Sequence, residues 1–330
     1  MNTTHDTESH MPLTFDMPLD ELKSYRGTNP RPDDFDKYWD DALSEMTAVD
    51  PDIDLQPAEF QAPFADCFDM YFTGVRDARV HAKLLRPKKS SAPSPAVLMF
   101  HGYSVHSGDW MDKLGYVAMG YTVAALDCRG QGGLSEDPGG VTGTTFCGHI
   151  VRGLAGPADN MIFRHMFLDT AQLARIVMDM PHVDETRVGA TGGSQGGGLT
   201  LACASLEPRI TRVAPTFPFL TDYKRTWKID LAKDAYHELH QYFRLFDPLH
   251  EREDEIFTKL GYIDVQHLCR RIKGEVLMGI ALMDTVCPPS TQFAAYNKIE
   301  SEKSLLLYPD FRHENLPGHP DRIFEFMREL

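Results

Sequence analysis

The chain has 330 residues, of which 42% are hydrophobic and 25% are charged, a composition typical of a folded globular protein. Its formal net charge of −15 excludes nucleic acid and anionic membranes as main partners, because charges of the same sign repel. No apolar run is long enough to predict a transmembrane helix, and the polar segment 1–10 predicts no secretory signal.

The first part of the chain predicts a tail, one helix and a hairpin. Residues 1–14 are expected to be a flexible tail, and apolar side chains at helical spacing predict a helix over 33–46. Two strand-like runs, 67–73 and 79–85, flank a turn of the kind that joins hairpin strands. The six scattered cysteines include no Cys-x-x-Cys pair, which predicts reduced thiols and a cytoplasmic location.

The pattern then changes to strands alternating with helices. A continuously apolar strand over 96–100 precedes a predicted helix over 110–119. A second buried strand, 122–126, leads into a loop rich in glycine and proline over 132–157, and a helix is predicted over 159–180. A loop of that length is usually functional or mobile.

The next segment contains a Gly-x-Ser-x-Gly motif centred on Ser194. The apolar run 186–190 before the motif predicts a strand, and residues 199–206 after it predict a buried helix. Gly192 and Gly196 allow the strand and the helix to approach closely, which exposes the serine hydroxyl at a tight turn. The pattern predicts a serine hydrolase with Ser194 as its nucleophile.

The rest of the chain continues the alternation after one interruption. The predicted elements are a strand at 210–220, a charged and aromatic helical insertion at 221–262, a strand at 275–281, a helix at 288–299, a strand at 304–308 and a helix at 321–330. Such alternation predicts one α/β domain over 1–330, with a mostly parallel sheet, helices on both faces, and the insertion over the strand ends.

Acyl transfer by a serine needs a base to accept the hydroxyl proton and an acid to orient that base. In α/β-hydrolases these residues follow the nucleophile in the order acid, histidine. Asp284 and His313 follow Ser194 in that order, each just after a predicted strand. Asp284 also fits a turn or a helix cap before Pro288, and His313 also fits an ordinary loop histidine.

Three other side chains compete for the same roles. His319 is a rival base at the start of a predicted helix, and Asp310 and Glu314 are rival acids. Both acids are so close to His313 in the sequence that Asp284 is preferred.

The oxyanion hole is expected to use two backbone N–H groups. One is that of Gln195, the residue after the nucleophile, and the second is that of Tyr103, in the loop after strand 96–100. His101 is expected to pack rather than catalyse. The run 237–240 has two histidines without the spacing of a zinc helix, so it is interpreted as a solvent-exposed face of the insertion. No metal site and no dinucleotide site are predicted.

Three segments together resemble the signature motifs of carbohydrate esterase family 7, the acetyl xylan esterases and cephalosporin C deacetylases. They are Arg129-Gly130-Gln131, Gly192-Gly193-Ser194-Gln195-Gly196 and His313-Glu314. Segments 167–173, 218–220 and 282–290 are also similar to that family, and the resemblance covers about residues 15–330.

The resemblance implies an α/β-hydrolase that removes acetyl groups from acetylated xylo-oligosaccharides and from small esters such as cephalosporin C, without a metal or an organic cofactor. It implies a Ser194, Asp284 and His313 triad, with Tyr103 and Gln195 at the oxyanion hole. It also implies that Tyr103 and Pro218 contact the substrate, Pro218 lining a small acyl pocket. Arg129 and Gln131 would brace nearby loops. The same resemblance implies a cytoplasmic homo-hexamer with its active sites facing an inner cavity.

Two other functions remain open at this point. The same fold and triad would serve a broader carboxylesterase, thioesterase or peptidase acting on longer acyl chains. A binding or scaffold protein that keeps a relic of the site is the second alternative, although an intact set of catalytic side chains argues against it.

Overall fold

A nine-stranded sheet forms the centre of the structure, a computed structural model that describes residues 14–89, 93–137, 141–142 and 145–330. The strands are β1 (Asp54–Pro57), β2 (Ala65–Thr73), β3 (Arg79–Pro87), β4 (Ser94–Phe100), β5 (Thr122–Leu126), β6 (Glu136–Asp137), β7 (Val141–Thr142), β8 (Val183–Gly193), β9 (Arg212–Thr216), β10 (Glu275–Ala281) and β11 (Lys303–Tyr308). The tail predicted over 1–14 lies outside the described residues, except for residue 14.

The helices alternate with these strands along most of the chain. They are α1 (Leu19–Leu22), α2 (Phe35–Thr47), α3 (Leu114–Ala118), α4 (Ile162–Met178), α5 (Gln195–Leu206), α6 (Tyr223–Lys228), α7 (His237–Phe246), α8 (Glu253–Leu260), α9 (Pro289–Tyr296) and α10 (His319–Met327). Among the described residues, no helix is both long enough and apolar enough to span a membrane.

The sheet is mostly parallel, as predicted. Its strand order is β1-β2-β3-β5-β4-β8-β9-β10-β11, in which β5, β4 and β8 to β11 pair in parallel and β1 to β3 pair antiparallel. Strand β4 lies at the centre, where Val97 pairs with Val123 of β5 and with Gly189 of β8. The carboxyl ends of the parallel strands therefore meet along one edge, which is where open α/β sheets place their sites.

Helices cover both faces of the sheet, again as predicted. Alternate side chains of a strand point to opposite faces, so Leu98 of β4 joins the core beneath α4 and α5 while Val97 joins the core beneath α3 and α10. A strand buried on both sides is expected to be apolar on both faces, and residues 96–100 of β4 show that pattern.

Some predicted elements are shorter than expected. The strand predicted over 210–220 ends at Thr216, because Phe217 adopts a φ of 30° and Pro218 has no N–H for a ladder. The helix predicted over 159–180 is α4, separated by the extended residue Met161 from a short 3-10 turn. The helix predicted over 110–119 is a 3-10 turn followed by the short α3.

The segment 221–262 forms the three helices α6, α7 and α8, in agreement with the predicted helical insertion. Helix α6 packs against both α8 and α9. The segment 132–157, predicted as a loop, contains only the short antiparallel pair of β6 and β7 among its described strands. Both segments lie next to the strand ends that carry the candidate site.

Candidate active site

Ser194 occupies a sharp turn between β8 and α5. Its φ of 58° and ψ of −121° lie outside the regions that L residues favour, as expected of a serine held at a strained turn. A Cβ on Gly192 would lie 2.5 Å from the carbonyl oxygen of Phe100, and one on Gly196 would overlap that same oxygen. Glycine is therefore required on both sides of the serine, for the reason that the motif suggests.

The segment after β9 holds this turn in place. The N–H of Ser194 donates to the carbonyl of Thr216 at 3.0 Å, and the Ser194 carbonyl accepts from the N–H of Phe219 at 3.0 Å. Pro218 is buried between these two contacts and lies against the first turn of α5 at Gly197. Pro218 therefore lies beside the serine, and its contact with the acyl group stays a prediction.

The structure brings Ser194, His313 and Asp284 together. His313 Nε2 lies 3.0 Å from Ser194 Oγ, and His313 Nδ1 lies 2.8 Å from Asp284 Oδ2. Asp284 is fully buried, and its other oxygen accepts from the N–H groups of Val286 and Cys287, both at 2.8 Å. One carboxylate oxygen thus forms the turn before Pro288, while the other orients the imidazole.

The rival base and acids lie elsewhere. His319 is buried and its Nε2 lies 2.9 Å from Thr216 Oγ1 rather than at the serine. Asp310 is exposed, and Glu314 is exposed with Oε1 accepting from the N–H of Arg312 at 3.0 Å. Neither carboxylate forms a hydrogen bond to His313 among the described residues.

The two predicted oxyanion donors lie in adjoining elements. Gln195 is the first residue of α5, so its N–H has no acceptor within the helix. The loop that carries Tyr103 runs beside it, since Gln195 Nε2 donates to the carbonyl of Gly102 at 3.3 Å. Helix N-terminal N–H groups carry a partial positive charge, which suits a developing oxyanion.

Gln131 braces this arrangement. Its Nε2 donates to Gln195 Oε1 at 2.8 Å, and its Oε1 accepts from Gln195 Nε2 at 3.0 Å and from the N–H of Ser104 at 2.9 Å. The paired amides hold the start of α5 and the loop after β4 at a fixed separation. The contacts agree with the bracing role that the family resemblance implies for this residue.

Arg129 is a buried anchor one step further from the serine. Its guanidinium binds both carboxylate oxygens of Asp169 in α4, at 2.5 and 2.6 Å, and donates to the Val75 carbonyl at 2.8 Å. Burial raises the pKa of Asp169, and the adjacent guanidinium opposes that effect. This fully buried and paired guanidinium supports the structure rather than binding substrate.

His101 packs, as predicted. Its Nε2 accepts from the N–H of Cys128 at 2.9 Å, so its Nδ1 carries the proton and donates to the Gly102 carbonyl at 2.7 Å. Burial lowers the pKa of His101, which keeps the ring neutral. The ring therefore joins the loops after β4 and β5.

The interpretation of 237–240 as a solvent-exposed face is wrong. His237 is exposed and His240 is half-buried, but Glu238 is only 4% exposed and Leu239 is fully buried. The Glu238 carboxylate points to the site and accepts from the hydroxyl of Tyr103. In the sequence, the i, i+4 spacing of Glu238 to the buried Tyr242 was the available sign of its burial. Its partner Tyr103 lies in the loop after β4, 135 residues earlier in the chain.

A loop before α4 completes this side of the site. The N–H of His149 donates to the Tyr103 phenol oxygen at 3.1 Å, and the N–H of Val151 donates to Glu238 Oε2 at 3.0 Å. Cys147, two residues before His149, is exposed, whereas the other five cysteines are buried. This loop belongs to the segment that the sequence singled out as long and rich in glycine.

Within the described parts of the chain, one group of side chains has the composition of a metal site. Ligand atoms of Asp284, Cys287 and His313 all lie within 4.8 Å of one another. Both Asp284 oxygens and both His313 nitrogens are already engaged in the hydrogen bonds above, and burial raises the pKa of the Cys287 thiol. A cation would have to displace those contacts, so the prediction of no metal site is kept as a prediction.

Comparisons with known proteins place the chain among esterases. A model of the acetyl xylan esterase (AXE1) family matches residues 11–330. The acetyl esterase Axe7A of Xylanibacter ruminicola is 26% identical over 314 residues, which are 93% of this chain and 68% of that protein.

Solved structures agree with this placement. Acetyl xylan esterase 1 from Thermoanaerobacterium sp. JW/SL YS485 is 63% identical with a TM-score of 0.93, covering 96% of this chain and 99% of that one. The acetyl xylan esterase from Paenibacillus sp. R4 is 32% identical with a TM-score of 0.89, covering 95% and 99%. A cold-adapted esterase from an Arctic intertidal metagenomic library, at 14% identity and a TM-score of 0.57, shares the fold. The predicted α/β-hydrolase fold is confirmed.

Proposed function

The chain belongs to the acetyl xylan esterase (AXE1) family and is a carboxylic ester hydrolase, and on that premise we propose that it removes acetyl groups from acetylated xylo-oligosaccharides. The observation that carries the proposal is the continuous hydrogen-bonded path from Ser194 Oγ through His313 to the buried Asp284. The contacts around Ser194 indicate the catalytic role of each group.

The reaction proceeds in two halves. His313 Nε2 accepts the Ser194 proton while Oγ attacks the acetyl carbonyl, and Asp284 stabilises the imidazolium through Nδ1–H. The N–H groups of Tyr103 and Gln195 stabilise the oxyanion, and the sugar hydroxyl leaves with the proton from His313. Water then attacks the acetyl-enzyme with His313 again as the base, which releases acetate and restores the serine.

The finer points of the proposal follow from the family resemblance. Cephalosporin C is a second substrate, because it carries an acetyl ester on a small leaving group. The protein assembles as a homo-hexamer in the cytoplasm, with its active sites facing an inner cavity that admits small acetylated molecules and excludes long polymers. Light scattering of the purified protein, followed by deacetylation assays on oligomers and intact acetylated xylan, tests these points.

The first test is hydrolysis of p-nitrophenyl acetate, butyrate and octanoate by the wild type and by Ser194→Ala. We expect a strong preference for acetate and loss of essentially all turnover in the variant. Each methylene that a pocket rejects is worth about 1–3 kcal/mol, so octanoate should be cleaved far more slowly. Equal or faster cleavage of octanoate would favour the broader carboxylesterase, and turnover above a few per cent in the variant would reject the nucleophile.

A further inference from the structure

Glu238 is a buried carboxylate at the start of α7, in the helical insertion. It is 4% exposed, and one oxygen accepts from the Tyr103 hydroxyl while the other accepts from the Val151 N–H at 3.0 Å. In the described part of the chain, the groups that act on its charge are hydrogen-bond donors, and no lysine or arginine is among them. A buried carboxylate without a cation is costly, so these hydrogen bonds must offset its desolvation.

The tyrosine that it holds is fixed from several sides. The phenol oxygen of Tyr103 also accepts from the His149 N–H at 3.1 Å, so its donor and one acceptor position are both used. The Tyr103 ring meets the Phe219 ring edge-on at 5.6 Å between centroids. The Phe219 N–H in turn donates to the Ser194 carbonyl, so the same cluster reaches the turn of the nucleophile.

The geometry points to Glu238 as a positioning residue for the esterase reaction. By holding the Tyr103 phenol, it fixes the loop after β4 and thereby the direction of the Tyr103 backbone N–H at the oxyanion hole. The helical insertion thus completes the donor geometry of a site whose nucleophile, acid and base each follow a strand of the sheet. The inference rests on the proposed function, since it concerns the rate of that reaction.

The hydrogen bonds favour the ionised carboxylate. Two donors, Tyr103 O–H and Val151 N–H, already point at its two oxygens, so a proton on either oxygen would face a donor. Burial raises the pKa of Glu238 to about 7, while the hydrogen bond from Tyr103 opposes that rise. The Tyr223 phenol of α6 and the neutral His149 imidazole also face this cluster, and burial lowers the pKa of His149. Protonation of Glu238 near neutral pH should therefore loosen Tyr103.

The experiment compares Glu238→Gln, Glu238→Ala and Tyr103→Phe with the wild type on p-nitrophenyl acetate. Removing one oxyanion donor lowers kcat roughly 10²- to 10³-fold, so misdirecting one should lower kcat by about 10-fold in Glu238→Gln and up to about 100-fold in Glu238→Ala. KM should change by less than about 3-fold, because the donor acts mainly in the transition state. Titration with a serine-directed organophosphate counts the folded, competent sites in every preparation.

Two further readouts separate positioning from folding. The combined Glu238→Gln and Tyr103→Phe variant should lose no more kcat than the worse single variant, because both changes break one contact. The acid limb of the kcat profile should move to lower pH in Glu238→Gln, since the group near pH 7 no longer titrates. The control is Glu251→Gln, which removes an exposed carboxylate in the turn after α7 and should leave kcat unchanged.

The outcomes are distinct. A lower kcat per titrated site, an unchanged KM and a shifted acid limb support the inference. If the wild type is active and Glu238→Gln has the same kcat and the same pH profile, the inference alone is overturned. The same holds if the lower rate of Glu238→Gln disappears once the rate is divided by the number of titrated sites. If the wild type has no esterase activity, or if its activity does not depend on Ser194, the proposed function is overturned and the inference fails with it.

Discussion

At the residue scale, the site depends on how each carboxylate is surrounded. Asp284 is useful to His313 because it is fully buried and because two N–H groups already hold its other oxygen. The rest of its hydrogen-bonding capacity is then directed at the imidazole. Asp310 lies within three residues of the same histidine, yet it is exposed, and the hydrogen-bond partners of the ring among the described residues are Asp284 and Ser194.

Asp284→Asn should lower kcat by about 10⁴-fold, the loss expected when the orienting carboxylate of such a triad becomes an amide and the histidine adopts the wrong tautomer. KM should change little, because the ester does not contact this buried side chain. Steady-state kinetics on p-nitrophenyl acetate measure both constants. The matched control is Asp310→Asn, for which wild-type kcat is expected; a variant at 284 that keeps a tenth of kcat would contradict the assigned role.

The residues of the triad could be predicted because each follows a strand whose apolar run is visible in the sequence. Ser194 is further marked by the glycines that its turn requires, and the structure shows the carbonyl oxygen that a Cβ would meet. The role of Glu238 could not be predicted, because its partner Tyr103 lies 135 residues earlier in the chain. A charged residue on a helix usually faces water, and only the tertiary contact reveals that this one does not.

At the scale of elements, a buried ion pair ties the loop after β5 to α4. Arg129 and Asp169 are both almost completely buried, and the guanidinium also donates to the carbonyl of Val75 near β3. Three elements therefore depend on one side chain. The sequence indicated Arg129 through its motif, but it did not reveal which carboxylate it binds.

Arg129→Met should destabilise the protein by about 3–5 kcal/mol, because it leaves the Asp169 carboxylate buried without its partner. The change is measured as a shift in the midpoint of urea unfolding. Adding Asp169→Leu should recover part of the loss, since it removes the unpaired charge. The control is Arg270→Met, which breaks an exposed contact with Glu300 at 4.0 Å and should cost less than about 1 kcal/mol.

The boundaries of elements were the least predictable feature at this scale. The apolar run after β9 continues to Leu220, so periodicity alone extended the strand. The backbone of Phe217 turns away at a φ of 30° because the segment must reach the carbonyl and N–H of Ser194. Strand β9 therefore ends at Thr216 because of these hydrogen bonds to Ser194, and not because of a change in strand propensity.

At the scale of the whole molecule, folding changes the protonation of buried groups in opposite directions. Burial lowers the pKa of His165 and His319 to about 4 and that of His267 to about 3, whereas burial raises the pKa of Glu238 and Asp264 to about 7. The histidines favour the folded state at neutral pH, and the carboxyls favour it in acid. Their effects on stability partly cancel in the wild type, so single variants are needed to separate them.

His165→Gln isolates one of these groups, since an amide can keep the hydrogen bond to the Asp159 carbonyl that His165 Nε2 makes at 2.9 Å. The unfolded chain protonates His165 below pH 6.5, whereas the folded chain resists until about pH 4, so its contribution to stability is lost as the pH falls through that window. From pH 7.5 to 5, the free energy of unfolding of the variant should therefore gain about 2 kcal/mol relative to the wild type. Urea unfolding at both values measures it, and a pH-independent difference would contradict it.

Cys147 is exposed in the loop before α4, so a dye attached to its thiol can report on that loop. Among the described cysteines it is the exposed one, and it lies two residues from the N–H that binds the Tyr103 phenol. A maleimide dye should react with the folded protein at this thiol first, because thiol chemistry needs access to solvent. The natural sequence thus provides a place for a fluorescent reporter, from which loop rearrangements during turnover can be followed in real time without introducing a cysteine.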